Sequence, residues 1–178
     1  MKNIKKTAAF LAAVLMSASV FTSCGKEATT ILGFKEISDD GVSYDLFVPD
    51  EWVSDISTGV SAAYYSAIDP SNISVMAFEL DNEVRSLPEY WETYEPGLKA
   101  IFPDLTYVGE PEETKLDGVP AMQYIYTGTM ANTNYKIMQI VSMHNARVHI
   151  FTYTAETDKY DAHIEDVLAI LDYFTFTE

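Results

Sequence analysis

Ile137-Met138-Gln139-Ile140-Val141, then Asn145-Ala146-Arg147, then Val148-His149-Ile150-Phe151-Thr152-Tyr153 is the part of the chain from which its fold is read. Both flanking runs are apolar on nearly every position, not on every second one. Strict alternation marks a strand with one wet face, whereas a continuous apolar run marks a strand covered on both. The short polar interruption leaves room only for a tight turn, so the two runs read as an antiparallel hairpin. Helices on both sides would provide the cover.

Upstream, the hairpin extends into a meander. Strand signals run from Thr106 to Leu116 with a break at Pro111, from Val119 to Met130 after Asp117-Gly118, and from Tyr135 to Asn145 after Asn132-Thr133-Asn134. Before them the period changes: Leu87, Tyr90, Trp91, Tyr94, Leu98 and Ile101 recur at helical spacing. Ser86 caps this helix, with Glu89 three residues on as in a capping box. Pro96-Gly97 predicts a kink or a restart, and Pro103 closes the element. Gly59 to Ala67 and Ile73 to Leu80 form a second hairpin about Asp69-Pro70-Ser71-Asn72, where Pro presets φ and Asn tolerates positive φ. Val42 to Val48 alternates with Tyr44, Leu46 and Val48 on one side and stops at Pro49, with Trp52 in the core beyond it.

Downstream, Tyr160, Ile164, Val167, Leu168 and Leu171 make the apolar stripe of a last helix that Thr157 or Asp158 caps. Phe174 and Phe176 alternate as a closing strand. The elements sum to an α+β domain, an antiparallel β-sheet flanked by helices on both faces.

The amino-terminal segment carries a different message. Lys2, Lys5 and Lys6 precede an apolar run from Thr7 to Phe21, followed by Thr22-Ser23-Cys24-Gly25. A basic start, an apolar stretch of about fifteen residues and small residues at a cut site are the parts of a secretory signal. The run is shorter than the roughly twenty residues that span a bilayer. Phe21-Thr22-Ser23-Cys24 resembles the bacterial lipobox, with Phe21 standing where Leu is usual. That resemblance implies a diacylglyceryl-modified Cys24, and two chains anchor stably where one holds marginally. Cys24 is also the single cysteine, so no intramolecular disulfide can form. The organisation expected is a signal peptide over 1–23, a lipidated tether over 24–31 and one α+β domain over 32–178, lying in the bacterial cell envelope on the extracytoplasmic side of the membrane.

Tyr44-Asp45-Leu46-Phe47-Val48-Pro49-Asp50-Glu51-Trp52 is similar to the strand and Pro-x-x-Trp opening of PsbP-like and DcrB-like domains. Asp117-Gly118-Val119-Pro120-Ala121, the strands through Tyr124 and Tyr135, Thr152-Tyr153-Thr154-Ala155 and the helix running into Phe174-Thr175-Phe176 resemble that group too. The likeness covers Phe34 to Phe176. It implies an α/β/α sandwich and a non-enzymatic binding or assembly role, and it brings no catalytic residue with it.

Composition narrows the function classes. Hydrophobic residues make up 48% of the chain and aromatic residues 13%, which favours a packed core over a disordered acidic tail. Removing 1–23 would delete three of the 11 basic residues and none of the 27 acidic ones. Such a body repels nucleic acid phosphates and anionic headgroups, so membrane residence would rest on the lipid alone. No Gly-x-Ser-x-Gly elbow, Ser-x-x-Lys pair or phosphate-cradling glycine loop occurs, and His144, His149 and His163 lack metal-ligand spacing. His144 and His149 flank a turn, and His163 sits at the edge of the last helical stripe, where it reads as a surface residue. Asp39-Asp40, Glu110-Glu112-Glu113 and Asp158-Asp161 do not match a calcium loop and would hold Ca2+ only weakly; no cofactor is expected. Tyr64, Tyr65, Tyr90, Trp91 and Tyr94 form two aromatic groups that either line a ligand cleft or fill the core. Two classes stay open: a lipid-tethered, non-catalytic module for a protein or small-molecule partner, and a small secreted carboxylate-dependent hydrolase acting on carbohydrate.

Overall fold

Three hairpin turns organise the sheet. A computed structural model describes residues 29–38, 41–55, 60–80 and 84–177; the expected signal peptide over 1–23, Cys24 and Asp39-Asp40 lie outside the described residues. Strands β1 (Phe34–Glu36), β2 (Tyr44–Asp45), β3 (Phe47–Pro49), β4 (Val53–Ser54), β5 (Ser61–Tyr64) and β6 (Asn72–Glu79) precede helix α1 (Leu87–Ile101). There follow β7 (Thr106–Tyr107), β8 (Glu112–Leu116), β9 (Val119–Met130), β10 (Thr133–His144), β11 (Arg147–Glu156), α2 (Ile164–Tyr173) and β12 (Thr175–Phe176).

The turn between β10 and β11 is the two residues Asn145 and Ala146, at φ 49 and 58, with His144 opposite Arg147. Asp117-Gly118 joins β8 to β9 at φ 46 and 75, and Ala131-Asn132 joins β9 to β10 at φ 51 and 67. Positive φ at both central residues gives the primed turn whose twist matches the strands it connects. The second of these lies one residue ahead of the expected Asn132-Thr133-Asn134, because Thr133 already pairs with Met130.

The main sheet has the order β4-β5-β6-β11-β10-β9, and the outer edge of β9 is shared between β7 and β8. Ser61 faces Val75 and Tyr64 faces Asn72, the expected upstream hairpin. Val42 to Val48 is not one strand. Leu46 donates its N–H to Ser38 Oγ at 3.2 Å and its carbonyl accepts from Ile37 N at 2.9 Å, which diverts the chain. Consequently β2 pairs with β12 while β3 pairs with β1.

Side-chain alternation sorts the core into two clusters. Met138, Ile140, Phe151 and Tyr153 pack with Val167 and Ile170 of α2 and with Leu46, Val48 and Trp52. Ile137, Val141, Val148 and Ile150 pack with Trp91 and Leu98 of α1 and with Phe102. Successive residues of β10 thus feed different clusters, as a strand buried on both faces must.

Ser86 caps helix α1 as expected, its Oγ accepting from Glu89 N at 3.3 Å, while Glu89 Oε2 accepts from Arg85 N at 2.8 Å, one residue ahead of the N-cap N–H that a capping box would use. It runs through Pro96-Gly97 without a restart. Glu92, whose carbonyl loses its partner to the missing proline N–H, is exposed, so water can satisfy it.

The last helix departs from expectation. It begins at Ile164; Tyr160 lies in a preceding 3₁₀ turn, and His163 is the N-cap, its side chain making no capping bond to the helix. Thr157 does not cap it, because its N–H and Oγ1 both turn back to the Asn134 carbonyl, at 3.0 and 3.2 Å. Ile170 replaces Leu168 in the buried stripe, and Leu168 is 52% exposed.

Candidate functional site

The side of the sheet beneath α1 combines two clefts with a hydrogen-bonded aromatic and polar cluster. Tyr90, Trp91 and Tyr94 occupy one turn of that helix and point toward β9 and β10. Trp91 stacks on Tyr124 with ring centroids 3.5 Å apart and planes within 4°. Tyr90 stacks on Tyr94 at 5.7 Å. Burial and the neighbouring Tyr94 push the Tyr90 phenol up to about 12.

A hydrogen-bond chain ties this helix to the strand edge. Trp91 Nε1 donates to Tyr107 Oη at 2.8 Å, and Tyr107 Oη donates to Glu95 Oε1 at 2.5 Å. Glu95 Oε2 pairs with Lys99 at 2.9 Å, one helical turn on. The bond from Tyr107 first, and that from Lys99 second, hold the Glu95 carboxyl below the usual glutamate range. Burial and the carboxylate push the Tyr107 phenol up to about 12. The arrangement keeps a tyrosine protonated against an ionised glutamate. It does not create the raised carboxyl a glycosidase needs as its general acid.

Deeper in, Gln139 of β10 completes a second network. Its Oε1 accepts from Tyr126 Oη at 3.0 Å, and its Nε2 donates to Tyr94 Oη and to Thr152 Oγ1, both at 3.2 Å. Buried amides and phenols are tolerated when bonded in this way.

Two clefts open along the helix. A narrow one of about 340 Å³ is lined by Trp91, Glu95, Tyr107, Gly109, Glu110 and Pro111. A wider one of about 470 Å³ lies between Leu87 and Pro88 of α1, Glu113 and Lys115 of β8, and Met122 of β9.

The two aromatic groups read from sequence do not meet. Tyr90, Trp91 and Tyr94 stand together by the narrow cleft. Tyr65 belongs to the opposite cluster, its ring 4.1 Å from that of His163 and 6.1 Å from that of Trp52. Tyr64 borders a separate cleft at the β5 edge with Pro70 and Asn72. Tyr107, Glu95 and Gln139 went unremarked in the sequence, because each acquires meaning only through a partner distant in the chain.

His163 is not a surface residue. It is 7% exposed, and its Nε2 lies 2.9 Å from Asp69 Oδ2. Burial alone would raise the Asp69 carboxyl, but the bonds to His163 and Ser71 outweigh it and hold it low. His149 is fully buried, with Nδ1 unpartnered and Nε2 3.4 Å from Ser43 Oγ. Burial, then the nearby His144 and Arg147, push its imidazole down to about 4. His144 lies 6.5 Å from it by ring centroid, and Phe176 packs on both. Among the described residues no three His, Cys, Asp or Glu side chains converge as a metal site.

Among solved structures the chain is similar to cyanobacterial PsbP (CyanoP) from Synechocystis sp. PCC 6803, at 16% identity over 88% of this chain and 98% of that one, with a TM-score of 0.60. The fold is PsbP-like. LpqN, described as involved in cell envelope biogenesis of Mycobacterium tuberculosis, is similar at 18% identity over 82% of this chain and 91% of its own, with a TM-score of 0.56. PA94 of Pseudomonas aeruginosa, a protein of unknown function, is similar at 12% identity over 79% and 94%, with a TM-score of 0.57. No protein-family model and no curated protein matches the chain. Among the described residues no helix is long and apolar enough to cross a membrane.

Proposed function

We propose that this protein is a lipid-tethered envelope module that binds a partner without catalysis, using the α1 side of its PsbP-like domain. In this reading α1 and α2 cover opposite faces of the sheet, an α/β/α sandwich with two clefts along α1. The address rests on Lys2, Lys5 and Lys6, the apolar run to Phe21 and the single cysteine, Cys24. The fold shared with LpqN, a protein described by its part in envelope biogenesis, is consistent with that address.

One observation carries the binding half: the Trp91–Tyr107–Glu95 chain beside two clefts of about 340 and 470 Å³. It satisfies the polar atoms of the rim and leaves a preformed concavity, as recognition sites have. It holds the Glu95 carboxylate ionised and engaged by Tyr107 and Lys99, which does not suit proton donation.

Mass spectrometry of the mature amino terminus, with detergent-phase partitioning of the unaltered chain and of Cys24→Ser, tests the tether. A diacylated Cys24 and loss of the substituted chain to the aqueous phase are expected. An unmodified cysteine or an intact leader overturns the address.

A further inference from the structure

The clefts lie end to end along α1. Leu87 and Pro88 line the wider one, Trp91 and Glu95 the narrower. At a rise of about 1.5 Å per residue the two lining groups are centred ~8 Å apart along the helix axis. Alternate side chains of an extended strand are separated by ~7 Å. The rim facing the helix is β8 at the wider cleft and Gly109-Glu110-Pro111, which lead into β8, at the narrower; among the described residues β8 pairs with β9 alone. Its other edge therefore offers main-chain N–H and C=O groups for strand addition.

Charge separates the two clefts. Glu110 is exposed at the mouth of the narrow one, where Glu95 is already engaged by Tyr107 and Lys99. Glu113 and Lys115 stand together in the wider one and offset each other's charge, beside Leu87, Pro88 and Met122. A cation is thus drawn to the first and not to the second, whose apolar lining suits an apolar side chain. Glu110, Glu112 and Glu113 along this rim, in a chain of formal charge −16, disfavour an acidic visitor.

We propose that this groove receives an extended, basic segment of a partner polypeptide, added as a strand on the outer edge of β8. A Lys or Arg side chain enters the narrow cleft toward Glu110, and an apolar side chain two residues away covers Leu87 and Met122. The proposal rests on the binding-module reading and names the chemistry of the partner.

The test uses the lipidated full chain in detergent and fluorescein-labelled decapeptides in which Lys is scanned along an alternating Val-Thr background. Anisotropy should report binding by members whose Lys and Val fall two residues apart. Affinity should drop about tenfold or more when the peptide Lys becomes Glu, when the protein carries Glu110→Lys with Glu113→Lys, and when alternate peptide nitrogens are methylated. Circular dichroism of the doubly substituted chain, changed only at exposed positions, should match the unaltered one. Equal binding of Lys and Glu peptides, indifference to N-methylation, or no binding at about 1 mM overturns the groove.

Capture from detergent-solubilised membranes separates the two levels. If the doubly substituted chain keeps the partner that the unaltered chain recovers, the groove is wrong and the module stands. If neither recovers one, the module reading falls and takes the groove with it.

Discussion

The two sides of the sheet solve the problem of burying polar atoms in opposite ways. Beneath α1, Gln139, Tyr94, Tyr126 and Thr152 are cross-bonded, and Trp91, Tyr107 and Glu95 form a continuous chain. The α2 side is drier in that its polar contacts are separate ones, such as Trp52 Nε1 to Asp166, Tyr44 Oη to Ser61 and Tyr153 Oη to the Tyr160 carbonyl, around Phe151 and Ile170. Yet the three buried side-chain atoms without a partner among the described residues, Ser142 Oγ, His149 Nδ1 and Tyr160 Oη, all belong to that drier side. Stability and accessibility are therefore divided. One side closes the domain by apolar area and tolerates a few unpaired groups, and the other holds its helix through a polar rim beside two clefts.

Removing a large anchor from the drier side should have the largest effect. Trp52 is fully buried, with Nε1 donating to Asp166 Oδ2 at 3.1 Å. Trp52→Ala should cost about 3–5 kcal/mol in urea unfolding, with Leu98→Ala on the α1 side costing less. A larger loss at Leu98 would erase the contrast.

Acid should act next. His149 has a folded pKa near 4, against about 6.5 for an unstrained imidazole. Between those values the unfolded chain takes up a proton that the folded one refuses. Stability therefore falls as the pH drops from about 6.5 to 4, by roughly 3 kcal/mol. His149→Phe should flatten that slope in urea titrations across the window. Asp69 behaves otherwise: its lowered carboxyl contributes above the ordinary aspartate range and is lost only as the pH falls through its folded value.

A paired substitution sharpens the polar contrast. Gln139→Leu strands the buried Tyr126 hydroxyl and should cost about 1–3 kcal/mol, whereas Ser142→Ala removes an atom that already lacks a partner and should be neutral or slightly stabilising. Equal losses would mean the two sides do not differ. Smallest, and belonging to neither side, is Ala146→Gly. Alanine in a left-handed conformation costs about 1 kcal/mol, so Asn145-Gly should raise the melting temperature modestly.

The meander was legible because its signals are local: apolar runs, turn residues and a capping pair lie within a few positions of one another. Asp117-Gly118 and Asn145-Ala146 sit where the turns form, and Ser86 caps α1 through the Glu89 N–H. What escaped depends on distant partners. The short strands β1 and β4 are defined only by their pairing with Pro49 to Phe47 and with Tyr64 to Ala63. The division of Val42 to Val48 depends on Ser38 and Ile37. His163 looked exposed because a helical stripe cannot reveal that Asp69, on a hairpin far upstream, lies against it. For the candidate site, Trp91 and the tyrosines around it were visible as an aromatic group, while Tyr107 and Glu95 gained their roles from the packing of helix on strand.

The pairing of β2 with β12 has a consequence for biogenesis. Phe176 seals His144 and His149, and Thr177 N reaches the Ser43 carbonyl at 2.9 Å, so early and late segments close one end of the domain together. A polypeptide emerging from the ribosome with its amino end first holds β2 without a counterpart until β12 has been made. Closure of that end of the domain therefore waits until the last strand is available to pair.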